Sequence, residues 1–220
     1  MGASLQMIDL EDDVSPDSEK PEIKKIHEGK LDELDEIKLI APHKPDLREL
    51  LFFFLSGVVI SVPLTLYISI FTDNLCTVLP RLYAELCAVS IFAPFIEEFA
   101  KVYPLFYRHG ESKRSIFTLG FLVGLGFGIS EFFVYIITGA PIAVRLPLMI
   151  FHAASASITA YGIATKRPLQ FYLLAVLIHA SNNFSAFFDS LWYIGGIGAV
   201  VVAYSLSWHF YKKTSENFVD

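Results

Sequence analysis

Charged residues are scarce in this chain beyond residue 49, and there are only 2 cysteines among 220 residues. The scarcity of charge excludes an ordinary soluble globule, and we expect no nucleic-acid partner. Cys76 and Cys87 lack the spacing of a metal site or a disulfide framework, so we expect both to be ordinary apolar residues. The N-terminus lacks a basic region followed by an apolar core. The first membrane helix is therefore expected to act as an uncleaved signal anchor.

Apolar residues, in contrast, are abundant. They make up 54% of the chain, with 20 Phe, and the mean hydropathy is +0.50. A helix needs about 20 apolar residues to cross a bilayer. The stretches of that length are 50–71, 82–107, 116–138, 142–164, 168–188 and 191–211. We therefore predict an all-α, up-and-down bundle of about six transmembrane helices within residues 50–213, followed by a short cytoplasmic tail at 214–220. Pro94 and Pro104 are expected to tilt or kink the second helix.

Residues 1–49 have a different composition. They are rich in Glu, Asp and Lys and have almost no aromatic residues. Such a segment cannot bury enough apolar surface to fold alone, so we predict an acidic, largely disordered cytoplasmic tail. Within it, residues 26–40 are either solvated or form a short amphipathic helix on the membrane surface.

Basic residues in the connections predict the orientation. Two lie on one side of the predicted bundle, Arg81 and Arg145. Nine lie on the other side: Lys44, Arg48, Arg108, Lys113, Arg114, Lys166, Arg167, Lys212 and Lys213. Positive residues are enriched on the cytoplasmic side. We therefore predict a multi-pass protein of the cell membrane with both termini in the cytoplasm.

Several polar residues interrupt the predicted membrane helices. A charged side chain at bilayer depth costs at least about 2.5–3.5 kcal/mol, so such residues usually mark a functional site. The candidates are Glu97, Glu98, Lys101, Glu131, His152, His179 and Asn183. Carboxylates, imidazoles, an ammonium and an amide are the groups that hydrolytic chemistry uses. The alternative is that these residues only stabilise contacts between helices, but this does not explain so many polar residues on four consecutive helices.

The spacing on the second helix predicts how its charges pair. At about 100° per residue, Lys101 falls about 40° from Glu97 and about 60° from Glu98. One ammonium can therefore neutralise either carboxylate while the other stays available, and Glu98→Gln is expected to be mild if Glu98 mainly pairs with Lys101. With Glu131 included, two negative charges remain. A protonated carboxylate, a charged histidine or a bound cation must balance them.

Small residues are concentrated on two helices. The third predicted helix contains GFLVGLGFG at 120–128, and the fourth contains AASAS at 153–157. Both are typical of close helix packing in lipid, and we interpret the glycines as packing residues. The glycine-rich run is not a phosphate loop, since no strand precedes it.

The order of the polar motifs resembles that of the PrsW family of intramembrane proteases. The motifs are EExxK (Glu97, Glu98, Lys101), FxxxE (Phe127, Glu131), an isolated His152, and HxxxN (His179, Asn183). More distantly they resemble the CAAX prenyl endopeptidase and bacteriocin-processing superfamily. Lys101 and Glu131 depart from the CAAX pattern, which favours PrsW and makes a prenylated substrate doubtful. The resemblance implies peptide hydrolysis in the membrane, acting on membrane-anchored proteins or peptides.

Two mechanisms are compatible with these residues. In the first, Glu97 is the general base for a water near Glu131 and His152, while His179 and Asn183 stabilise the oxyanion. Lys101 sets the ionisation of the glutamate pair. In the second, which the resemblance to metallopeptidases implies, Zn²⁺ is held by His152, His179 and a glutamate, for which Glu131 is the candidate. The sequence alone does not decide between a zinc site and a metal-independent glutamate.

Other functions remain open at this point. Buried Glu, His and Lys also form proton relays, so an ion- or proton-coupled transporter is one alternative. No internal repeat or obviously broken helix pair supports it. A catalytically inactive scaffold of the same superfamily is another, and a lipid or amide hydrolase is a third.

Overall fold

The computed structural model describes residues 44–107, 112–188 and 192–215. Within these ranges all the long elements are helices, which confirms the predicted all-α class. Helix α1 is Leu47–Cys76. The other helices are α2 (Arg81–Glu85), α3 (Ala93–Val102), α4 (Lys113–Ile137), α5 (Ile142–Ala164), α6 (Pro168–Ser185) and α7 (Trp192–Lys213). The predicted disordered tail lies outside the described residues, apart from its last few positions.

Four of these helices are long and apolar enough to cross a membrane: α1, α4, α5 and the Tyr193–Lys213 part of α7. Large apolar side chains such as Phe52, Leu66 and Val201 are exposed on the surface of the described bundle, as expected for faces that contact lipid. The remaining two predicted spans are the segment that begins at Arg81 and helix α6. The number six stays a prediction, because neither of these is both long and apolar enough to be counted.

The first two predicted spans are not uniform α-helices. A π-helical turn occupies Gly57–Ser61 inside α1, just before Pro63. A longer π-helical segment, Leu86–Phe92, joins α2 to α3 just before Pro94. Its flanking residues keep right-handed helical dihedrals, so α2, the π segment and α3 form one continuous rod, here called the α2–α3 rod. The expected tilt or kink at Pro94 and Pro104 stays a prediction. The rod leaves the α conformation before Pro94 and ends in a 3₁₀ turn, Tyr103–Tyr107.

Glycines on α4 allow two neighbouring helices to approach closely. Gly120, Gly124 and Gly128 lie against α5, and Gly126 lies against α1. A Cβ on Gly124 would be 2.6 Å from the Cβ of Ala156 and would clash with the carbonyl oxygen of His152. The interpretation of these glycines as packing residues therefore agrees with the structure, and the contact fixes the position of His152.

The expectation for the cysteines is wrong. Cys76, the last residue of α1, forms a disulfide with Cys87 in the π segment. They are 11 positions apart in the sequence, which is no recognisable disulfide spacing. They meet because a tight turn brings the start of the α2–α3 rod back alongside the end of α1, which only the folded hairpin reveals.

Candidate active site

Six of the seven candidate residues form one cluster inside the bundle. Helix α3 contributes Glu97, Glu98 and Lys101, and the other members come from three different helices. These are Glu131 from α4, His152 from α5 and His179 from α6. Each is joined to another member by a contact of 3.9 Å or less. The geometry thus brings ionisable groups that are far apart in sequence into one cluster.

Glu98 is the central acceptor of the cluster, and its side chain is fully buried. Its Oε1 accepts from Lys101 Nζ at 2.8 Å and from Ser155 Oγ at 3.1 Å. It also lies 2.8 Å from Nδ1 of His179. Because an ionised carboxylate only accepts, a neutral His179 would carry its proton on Nδ1 and have a free lone pair on Nε2. Glu98 therefore orients one imidazole toward the centre of the cluster.

Lys101 lies closer to one of its two neighbouring carboxylates than to the other. Its Nζ is 2.8 Å from Glu98 but 3.9 Å from Glu97. The ammonium also lies 2.7 Å from Nδ1 of His152 and 4.7 Å from the centre of the Phe127 ring. Nε2 of His152 lies 2.5 Å from a carboxylate oxygen of Glu131. A charged Lys101 that donates to Nδ1 leaves the His152 proton on Nε2, where it is donated to Glu131.

Glu97 is the carboxylate that stays available. Its side chain is 12% exposed, and its Oε2 is buried without a hydrogen-bond partner among the described residues. That oxygen is 3.7 Å from Nε2 of His179. Ligand atoms of Glu97, His152 and His179 all lie within 4.8 Å of one another. This group differs from the predicted zinc ligands, which paired the histidines with Glu131. Glu131 contacts His152 but is not part of the group.

These three residues fit a catalytic metal. Two imidazoles and one carboxylate are the protein ligands of many catalytic zinc sites. The free lone pair of His179, oriented by Glu98, is the arrangement in which a second carboxylate fixes a metal-binding histidine. The buried oxygen of Glu97, which has no hydrogen-bond partner in the described part of the chain, is also available as a ligand. Ligation through Nε2 of His152 requires its proton on Nδ1, with the Lys101 ammonium turned away from that nitrogen.

Asn183 is the predicted site residue whose described hydrogen bonds lie outside the cluster. It lies one turn beyond His179 on α6, and its Nδ2 donates to the backbone oxygen of Val89 at 2.9 Å. The predicted oxyanion role of Asn183 is not tested by this geometry. Its amide is nevertheless already engaged by the π segment.

Sequence reasoning missed Ser155, which donates to Glu98 from the small-residue run of α5. A serine one turn from His152 is the only signal that could have indicated it, and its neighbours Ala153, Ala154 and Ala156 made packing the simpler interpretation. Tyr172 was also missed. Its hydroxyl donates to the Phe95 backbone oxygen at 2.7 Å and so ties α6 to the α2–α3 rod.

A bundle of membrane-compatible helices around a buried carboxylate–imidazole cluster defines a membrane-embedded enzyme of the hydrolytic type. The sequence profile of the PrsW family intramembrane metalloproteases matches residues 45–209, about three quarters of the chain. The chain therefore belongs to the PrsW family. No curated protein and no solved structure matches it.

Proposed function

We propose that this chain hydrolyses peptide bonds of membrane-anchored proteins at a divalent metal held by Glu97, His152 and His179. The balance of buried charge carries the proposal. Three carboxylates and one lysine are collected in one cluster, which leaves two negative charges in a region of low dielectric. A divalent cation neutralises them, and the metallopeptidase family to which the chain belongs supports this choice over a protonated carboxylate.

The metal would act as a Lewis acid that polarises the scissile carbonyl. Glu131 takes the role of general base in this scheme. Its side chain is 21% exposed, the most accessible of the three carboxylates, and it contacts His152. Glu131 accepts the proton of the attacking water and then transfers it to the leaving amine. Glu98 and Lys101 do not touch the reacting atoms. Glu98 holds His179 in position, and Lys101 neutralises the charge of Glu98.

A metal-independent scheme keeps Glu97 as the general base and His179 as the donor to the oxyanion. Metal analysis of purified protein separates the two schemes. We expect about one equivalent of Zn²⁺ or a similar divalent ion, lost in His179→Ala and in Glu97→Gln. Glu131→Gln should keep the metal and lose activity. Metal-free protein with full activity would eliminate the metal scheme.

The family and the apolar exterior of the described bundle support membrane-anchored proteins as the substrate class and entry from the bilayer as the route. The test is quantitative proteomics of membranes from cells that produce the wild-type protein or Glu97→Gln at equal abundance. We expect truncated membrane-anchored proteins only in the wild-type cells. Proton or ion uptake into proteoliposomes without any cleavage would instead support the transporter alternative.

We also propose that both termini are cytoplasmic. The Cys76–Cys87 disulfide supports this orientation independently of the basic residues. Disulfides persist in oxidising compartments outside the cytoplasm. The bond lies at the end of α1 opposite Lys44 and Arg48, on the side where few basic residues occur.

A further inference from the structure

The backbone oxygen of Val89 lacks its usual donors within the α2–α3 rod. In an α-helix it would accept from the N–H of Ala93, but that N–H donates to Ala88, one residue earlier, as π-helical geometry dictates. In a π-helix it would accept from residue 94, which is Pro94 and has no N–H. The π segment and the proline together therefore leave this oxygen without a donor from its own helix.

Asn183 supplies the missing donor from a different helix. Its Nδ2 lies 2.9 Å from the Val89 oxygen. A second bond between the same two elements joins the Tyr172 hydroxyl to the Phe95 oxygen at 2.7 Å. Along α6 the two bonds lie on either side of His179, whose Nδ1 contacts Glu98 of the rod. The three contacts together fix the rod against α6 at the level of the cluster.

We propose that Asn183 is a positioning residue whose amide replaces the N–H that Pro94 cannot provide. The Asn183–Val89 bond fixes the position of the rod along α6, and it therefore places Glu97 and Glu98 next to His179. The lipid chains that we expect around the bundle cannot donate to the Val89 oxygen when the amide is removed, so the rod is expected to shift or unwind locally. The proposal deepens the proposed function, since it concerns the same site, but the bond itself does not depend on proteolysis.

A rescue experiment tests this assignment. Asn183→Leu keeps the side-chain volume and removes the donor, and we expect the unfolding midpoint in detergent to fall by several degrees, at about 2–4 °C per kcal/mol for a chain of this size. Pro94→Ala restores an N–H at position 94 that can donate to Val89. In that background the same Asn183→Leu change should cost no more than half as much, and cleavage should partly return.

Tyr172→Phe is the matched control. Its acceptor, Phe95, precedes Phe99 by one helical turn, and Phe99 has a backbone N–H. Loss of the Tyr172 bond should therefore be equally damaging with and without Pro94→Ala. The proposal would be overturned if Asn183→Leu lowered the unfolding midpoint equally in the Pro94 and Pro94→Ala backgrounds. It would also be overturned if Asn183→Leu abolished activity in both backgrounds without changing the midpoint, and Asn183 would then be assigned to the chemistry.

A second measurement does not require the Pro94→Ala protein to fold. Hydrogen–deuterium exchange is measured for the wild-type chain and for Asn183→Leu, both with Pro94 in place. The backbone amides of Ala93–Val102 should exchange faster in the variant. Unchanged protection there would contradict the positioning role. Both readouts remain valid even if the chain proves to have no peptidase activity, so failure of the proposed function and failure of this inference are distinguishable.

Discussion

The buried pair Glu98–Lys101 should be strongly coupled, and a double-mutant cycle measures the coupling. Nζ of Lys101 is 2.8 Å from Glu98 and 3.9 Å from Glu97. With an effective dielectric constant of about 20, these distances correspond to attractions of about 6 and about 4 kcal/mol. The cost of desolvation offsets much of this. Breaking one partner of a buried pair typically costs about 3–5 kcal/mol, because the other charge stays buried.

We therefore expect Glu98→Gln and Lys101→Met each to lower the free energy of unfolding by about 3–5 kcal/mol. The double variant removes both charges together, so it should lose at least about 2 kcal/mol less than the sum of the single variants. The contact between Glu98 and His179 also leads us to expect a larger loss of activity from Glu98→Gln than the sequence predicts from Lys101 alone. Activity should not return in the double variant, because the ionised acceptor for His179 is still missing.

Equilibrium unfolding in mixed detergent micelles measures these differences. The exposed pair Arg81–Glu85 is the control, since its nitrogen and oxygen are 3.1 Å apart but the side chains are 93% and 49% exposed. The same cycle at that pair should give a coupling close to zero. If the losses of unfolding free energy from Glu98→Gln and Lys101→Met were additive, with no more coupling than in the exposed pair, the two charges would not stabilise each other and the reasoning would be refuted.

Three further predictions follow from contacts elsewhere in the bundle. Gly124→Ala should lower stability by about 1–3 kcal/mol through overpacking, whereas Gly198→Ala, where an added Cβ meets nothing within 4 Å, should not destabilise the protein in the same unfolding assay. Ser155→Ala removes one of the donors to the central carboxylate and should cost about 1 kcal/mol, with the metal content unchanged in elemental analysis. Cysteines introduced at Thr138 and Arg167, both exposed, should react with a membrane-impermeant reagent from opposite sides of intact cells or inverted vesicles; labelling from the same side would refute the proposed orientation.

The sequence predicts the helices and the membership of the cluster because both depend on local, strongly constrained signals. Apolar stretches of bilayer length predict helix bounds to within a few residues, and α5 begins and ends where predicted. A residue such as Lys101 or His152 is conspicuous because ionisable groups are rare in such stretches. The sequence also predicts the close packing of the α4 glycines, because small residues at helical spacing in a membrane helix are typical of helix–helix contacts.

Other features depend on which helices are neighbours, which the sequence does not show. The engagement of Asn183 by Val89 requires both a π segment and a proline that leave one oxygen free, and hydropathy detects neither effect. The candidate metal group contains Glu97 instead of the predicted Glu131 for the same reason, since the choice depends on which helices are neighbours. Spacing along one helix gives angles around that helix, but it does not show which carboxylate faces the imidazoles of two other helices.

The Cys76–Cys87 bond has a practical consequence for work with the purified protein. Thiol reductants are routinely added to keep cysteines reduced, and here they would open the disulfide that cross-links the end of α1 to the rod that carries Glu97. Phenanthroline-type chelators and dithiols also compete for zinc, so one additive can disturb both the hairpin and the candidate metal. Preparations should therefore be made without thiols, and the bond should be verified by intact mass before any activity is compared.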